Sequence, residues 1–155
     1  MTKPAESISA DIEIAADPLA VYALITNLDV LGELAAETTS HKWTKGHTPT
    51  AGAQFTGRNE NGKHAWSTTC TVTDARPGTT FEFEVKSLVI PVARWRYDIA
   101  PIEGGCLVTE TTMDLRPGWF KPIAALATGV KDRAGANADH IRQTLGRLKD
   151  RAEGA

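Results

Sequence analysis

From His41 to Leu115 the sequence is a succession of short runs rich in β-branched and aromatic residues, cut at close intervals by turn chemistry. The breaks fall at Gly46, Pro49 and Gly52, at Asn59-Glu60-Asn61-Gly62, at Arg76-Pro77-Gly78 and at Glu103-Gly104-Gly105. Asn-Gly takes positive φ readily, so Asn61-Gly62 reads as a hairpin connection. The runs His41–Lys45, Ala53–Asn59, Ala65–Asp74, Thr80–Lys86, Ala93–Ala100 and Cys106–Leu115 therefore predict six consecutive strands in an antiparallel meander. Arg116-Pro117-Gly118 closes the series.

Two flanking patterns complete the layout. Ser7 to Ile14 alternates polar and apolar, the period of a half-buried strand, with Ile8, Ala10, Ile12 and Ile14 on the core side. Asp17-Pro18 then opens a helix, Asp17 capping free N–H groups and Pro18 sitting where its missing donor costs nothing. A second short helix is expected over Leu31 to Ala36, after Asn27 and Asp29 loosen the pattern. Beyond Trp119 the period becomes 3.6: Phe120, Ile123, Ala127, Val130, Ala134, Asn137, Ile141, Leu145 and Leu148 share one stripe, opposite Lys131, Asp132, Arg142, Arg147 and Lys149. That predicts one long amphipathic helix, broken or kinked near Pro122 and Gly129. The 155 residues thus form a single α+β domain with a core over about 7–150, ordered β-α-α-β6-α.

A sheet of about seven strands is too twisted to lie flat and curls around whatever packs on its concave face. The C-terminal helix is the one element long enough to lie there. Alternation turns Phe55, Gly57 and Asn59, then Trp66, Thr68, Cys70 and Val72, then Phe81, Phe83 and Val85, then Trp95, Tyr97 and Ile99 toward it. Large walls mixed with small residues describe either an apolar pocket or a well-packed core, and the pattern alone leaves both open.

Other functions are constrained by what the sequence lacks. A net charge of −2 gives no basic excess for phosphate, so no nucleic-acid partner is expected. The first ten residues carry no apolar run and no stretch reaches the about 20 apolar residues that span a bilayer, so a cytoplasmic location without stable membrane insertion is expected. Cys70 and Cys106 are then free buried thiols. The four histidines do not cluster at ligand spacing, and no P-loop, Gly-x-Gly-x-x-Gly or Gly-x-Ser-x-Gly pattern occurs, so neither metal nor cofactor is expected. The run Leu88 to Val92 is apolar where a hairpin would carry polar turn residues, which marks it, with Trp119 and Phe120, as cavity cover, dimer contact or membrane-touching lip.

Three stretches carry a family likeness: Ile12 to Asn27; Gly52 to Asn59 with Trp66 to Val72 and Arg76-Pro77-Gly78; and Trp95-Arg96-Tyr97 with Gly104-Gly105, Val108-Thr109-Glu110 and Thr144 to Lys149. In this order and spacing the chain resembles the START-like superfamily, in particular the polyketide cyclase/dehydrase and lipid-transport (SRPBCC) family, across about Ser7 to Glu153. The resemblance implies the helix-grip fold shared with the birch-pollen allergen Bet v 1. It also implies carriage of a small hydrophobic molecule (lipid, polyketide-like or isoprenoid) between sheet and C-terminal helix. An aromatase/cyclase-type enzyme and a toxin-like or stress-module interaction protein are the alternatives.

The expected ligand-binding set is Phe55, Asn59, Trp66, Thr68, Cys70, Phe81, Phe83, Trp95, Tyr97, Glu110, Phe120, Ile123, Ala127, Val130, Ala134, Asn137 and Ile141. Glu110 is the candidate base should turnover occur, since an inward carboxyl has a raised pKa. Its register stays open, because Leu107 and Met113 compete with Val108 and Glu110 for the inner face. Arg58, Arg94 and Arg96 are assigned to the solvated face, and a homodimer is possible.

Overall fold

The computed structural model describes residues 7–35, 38–129 and 133–154. Seven strands form one antiparallel sheet: β1 (Ser7–Ile14), β2 (Thr38–Lys45), β3 (Gln54–Asn61), β4 (His64–Arg76), β5 (Thr80–Ser87), β6 (Ile90–Ile102) and β7 (Gly105–Asp114). Four helices accompany it: α1 (Pro18–Ile25), α2 (Leu28–Leu34), α3 (Lys121–Thr128) and α4 (Arg133–Glu153). The spatial order β1-β7-β6-β5-β4-β3-β2 places β1 and β2 at opposite edges, so α1 and α2 span the width of the sheet between them. Register shifts in β2/β3, β4/β5 and β5/β6 insert unpaired residues that bend the strands and deepen the concavity.

Local chemistry explains the element ends. Asp17 accepts from the Leu19 amide at 3.0 Å and Pro18 occupies the first turn of α1. Asn27 does not loosen the pattern as expected. Its Oδ1 accepts from the Asp29 and Val30 amides at 3.1 and 3.4 Å and caps α2, which starts three residues before the expected Leu31.

The C-terminal helix, expected to be broken or kinked near Pro122 and Gly129, is broken at Gly129. Gly129, at φ +74°, ends α3 in the left-handed conformation that a residue without a Cβ adopts freely. Resetting the helix there breaks the phase of the stripe. In α3 the inward positions are Ala124 and Thr128, while Ile123 and Ala127 are exposed. In α4 the stripe holds: Ile141, Leu145 and Leu148 are buried in the main core.

The two halves of α4 differ in what holds them. Toward its C-terminus Lys149 donates to the Glu13 carbonyl at 3.0 Å, Glu153 accepts from the Ala15 amide at 2.9 Å, and Arg147 donates to the Leu34 carbonyl at 3.1 Å. This end is clamped to β1 and α2. Toward the N-terminus come Gly135, Ala136, Asn137 and Ala138, all small side chains.

The solvated face of the sheet carries an ion-pair ladder, as its alternation predicts. Arg96 reaches Asp98 at 2.9 Å and Glu82 at 3.1 Å, and Arg94 reaches Glu84 at 3.3 Å. Among the described residues no helix is long and apolar enough to cross a membrane, and both cysteines are buried free thiols.

Candidate functional site

Because α4 is clamped at one end and lined with small residues at the other, the concave face is filled unevenly. A cavity of about 180 Å³ remains between the sheet and the N-terminal half of α4, roofed by α3. The roof is fixed where the Asn61 amide donates to the Thr128 carbonyl at 2.8 Å, tying the β3–β4 hairpin to the end of α3.

Nine of the expected ligand-binding residues stand on the cavity wall: Asn59, Trp66, Thr68, Cys70, Phe83, Trp95, Tyr97, Glu110 and Asn137. Strand alternation delivers eight of them, since β3, β4, β5, β6 and β7 each turn every second side chain inward. Six others stand elsewhere, and two fall outside what the structure describes. Phe55, Phe81 and Ile141 are fully buried in the adjoining core, where Phe55 packs edge-on against Phe83 at 5.2 Å and Phe81 lies 5.5 Å from the same ring. Phe120, Ile123 and Ala127 are off the wall because the break at Gly129 turns α3 by a different phase. Val130 lies outside the described residues, as does the side chain of Ala134.

Several wall residues escaped the sequence reading. His140 and Thr144 follow Asn137 at helical spacing of three and four, a polar stripe beside the apolar one. Asp114, read as part of the last strand, and Arg116, read as part of the closing turn, form a largely buried bidentate pair at 2.9 and 2.8 Å at the rim. His41 enters from β2, where Gly57 opposite leaves room for its ring.

The register of β7 settles the position of Glu110. Cys106, Val108, Glu110 and Thr112 face inward; Leu107 and Met113 do not. Glu110 is 2% exposed and sits opposite Tyr97 in the β6–β7 ladder. Its Oε1 is buried with no hydrogen-bond partner. Burial pushes the carboxyl up to about 8, partly opposed by the Tyr97 hydrogen bond, so it is predominantly protonated at neutral pH. Burial and the nearby carboxyl together push the Tyr97 phenol well above its ordinary value. The Cys70 thiol is pushed up to about 12 and the His41 imidazole down to about 4, again chiefly by burial. Glu110, Tyr97, Cys70 and His41 therefore stand uncharged at neutral pH, among the wall tryptophans and Phe83 and beside the Asp114–Arg116 ion pair. Among the described residues no cluster of histidine, cysteine or acidic side chains could hold a metal ion.

A curved sheet closed over a long C-terminal helix is the helix-grip architecture of Ara h 8.0201 (TM-score 0.72, 8% identity, covering 97% of this chain and 99% of that one). It is also that of the di-domain ARO/CYC protein StfQ from the steffimycin biosynthetic pathway (TM-score 0.77, 12% identity, 97% of this chain but 51% of that one). At such identities the likeness is one of fold. A Polyketide_cyc-like protein from Corynebacterium glutamicum is similar at 27% identity and TM-score 0.65, over 96% of this chain and 91% of its own. The family model for polyketide cyclase / dehydrase and lipid transport matches residues 5–153, and the chain belongs to that family. No curated protein matches it.

Proposed function

We propose that the chain acts as one unit that binds a small, mainly hydrophobic molecule in the cavity between the sheet and α4. The observation that carries this reading is the cavity itself: an aromatic enclosure left open although large side chains surround it. Trp66, Phe83 and Trp95 present apolar surface to this concavity, and an apolar occupant gains by removing that surface from water.

The volume narrows the ligand. An apolar cavity of about 150 Å³ takes up benzene, whereas pockets for drug-sized ligands start near ~300 Å³. The 180 Å³ here suits one substituted ring better than a full-length lipid. Burying a ring of about 200 Å² contributes roughly 5 kcal/mol before association costs. Trp66, Phe83 and Trp95 supply the apolar walls; Asn59, Glu110 and Asn137 supply orientation.

Ala93 is buried on the wall, and Ala93→Phe places a ring in the space the ligand would take. The variant should abolish uptake of a benzene-sized probe, read by quenching of the wall tryptophans, while keeping the far-ultraviolet dichroism of the parent. Equal uptake by parent and variant would refute the reading.

A further inference from the structure

We propose that Glu110 is the specificity-determining group of this cavity, donating a hydrogen bond from a protonated carboxyl to an uncharged acceptor oxygen on a compact ring, and that the site rejects carboxylate ligands. The inference deepens the ligand-binding reading above and rests on it.

The geometry leads there in three steps. First, Glu110 is buried on the cavity wall, opposite Tyr97 in the β6–β7 ladder, with its Oε1 lacking any hydrogen-bond partner. A buried polar atom left unsatisfied costs about 1–3 kcal/mol, so such a group at a ligand cavity marks a contact the ligand completes. Second, a protonated carboxyl carries one O–H donor, and Oε1 is the oxygen that no protein group engages, so that proton is available there. The missing partner is then an acceptor. Third, among the described residues the wall offers an anion no lysine and no arginine that is not already paired, since Asp114 holds the Arg116 guanidinium through two hydrogen bonds. A carboxylate placed beside Glu110 would lose its hydration with no cation in return.

The groups facing Glu110 keep its titration separable. Tyr97 on β6 and Cys70 on β4 titrate above it, His41 on β2 titrates below neutrality, and the Asp114–Arg116 pair closes the rim. His140 on α4 faces the cavity from the opposite wall, and a variant confined to Glu110 removes its influence from the comparison.

Cumene, acetophenone and benzoate form the test set, since all three are a phenyl ring carrying a three-atom fork of nearly the same shape. Their dissociation constants are measured by quenching of the wall tryptophans at pH 6.5 and 9.5 for the parent, Glu110→Gln and Glu110→Met. The parent should show an acetophenone-to-cumene affinity ratio about tenfold higher at pH 6.5 than at pH 9.5, where the donor has become a carboxylate. Glu110→Gln retains an N–H donor and should keep the high ratio at both pH values. Glu110→Met should show the low ratio at both. Benzoate should bind at least about tenfold more weakly than acetophenone to the parent at pH 6.5. A ratio unmoved by pH in the parent, or benzoate binding as well as acetophenone, overturns the assignment of Glu110 while leaving the cavity reading intact. Failure of all three probes to bind overturns both.

Discussion

At the scale of the residue, the protein is governed by two buried titratable groups whose effects on stability have opposite sign. Glu110 has a folded-state pKa of about 8 against an ordinary 4.5, so between these values the native chain holds a proton the unfolded chain has released. Its contribution falls as pH rises through that window, by up to ~1.4 kcal/mol per pH unit, and is constant above it. His41 runs the other way: lowered from 6.5 to about 4, it leaves the unfolded chain holding the extra proton, so stability rises with pH between those values. The two slopes oppose each other below pH 6.5, and Glu110 acts alone from 6.5 to 8. Denaturant unfolding should therefore show Glu110→Gln gaining about 2 kcal/mol relative to the parent between pH 6.5 and 8.5. An unchanged difference at the two pH values would mean that Glu110 is ionised in the folded chain. Sequence reasoning reached Glu110 as a candidate but not its orientation, because alternation fixes which residues share a face and not which face is inside.

At the scale of the element, the β5–β6 hairpin contains an expected feature in an unexpected form. The apolar run Leu88 to Val92 was read as a segment between strands, yet Ser87 pairs directly with Ile90 and only Leu88 and Val89 form the turn. Leu88 holds φ +56° and is 89% exposed, and Val89 is 86% exposed. A β-carbon in the left-handed region costs roughly 1–2 kcal/mol, while an exposed side chain returns nothing in burial. Leu88→Gly should thus stabilise the protein by about 1 kcal/mol after the added unfolded-state entropy of glycine is deducted, raising Tm by about 2–4 °C. A lower Tm would mean that the Leu88 side chain packs against something in solution. The break at Gly129 belongs at this scale too. Pro122 and Gly129 were visible as possible kinks, but the turn of α3 away from the stripe was not, since helical period describes one continuous helix and carries no phase across a break.

At the scale of the whole molecule, stability and cavity are divided along the length of α4. Ile141, Leu145 and Leu148 fuse β1, α1, α2 and the sheet into one core, whereas Asn137, His140 and Thr144 face the open part. Truncating the anchored end should therefore act globally: Leu148→Ala is expected to cost about 2–5 kcal/mol in a single cooperative transition followed by chemical denaturation. A two-stage transition would show that the sheet stands without its helix. The strand count, the antiparallel meander, the capped first helix and the solvated arginine ladder all follow from local rules of period, turn chemistry and capping that a chain states residue by residue. Whether the hollow of the sheet is filled does not follow from them. It depends on where α4 is clamped, how far the bulged strands curve and how α3 lies over the gap. These are sums over many distant contacts, and the same side chains in a slightly flatter sheet would close the space that here stays open.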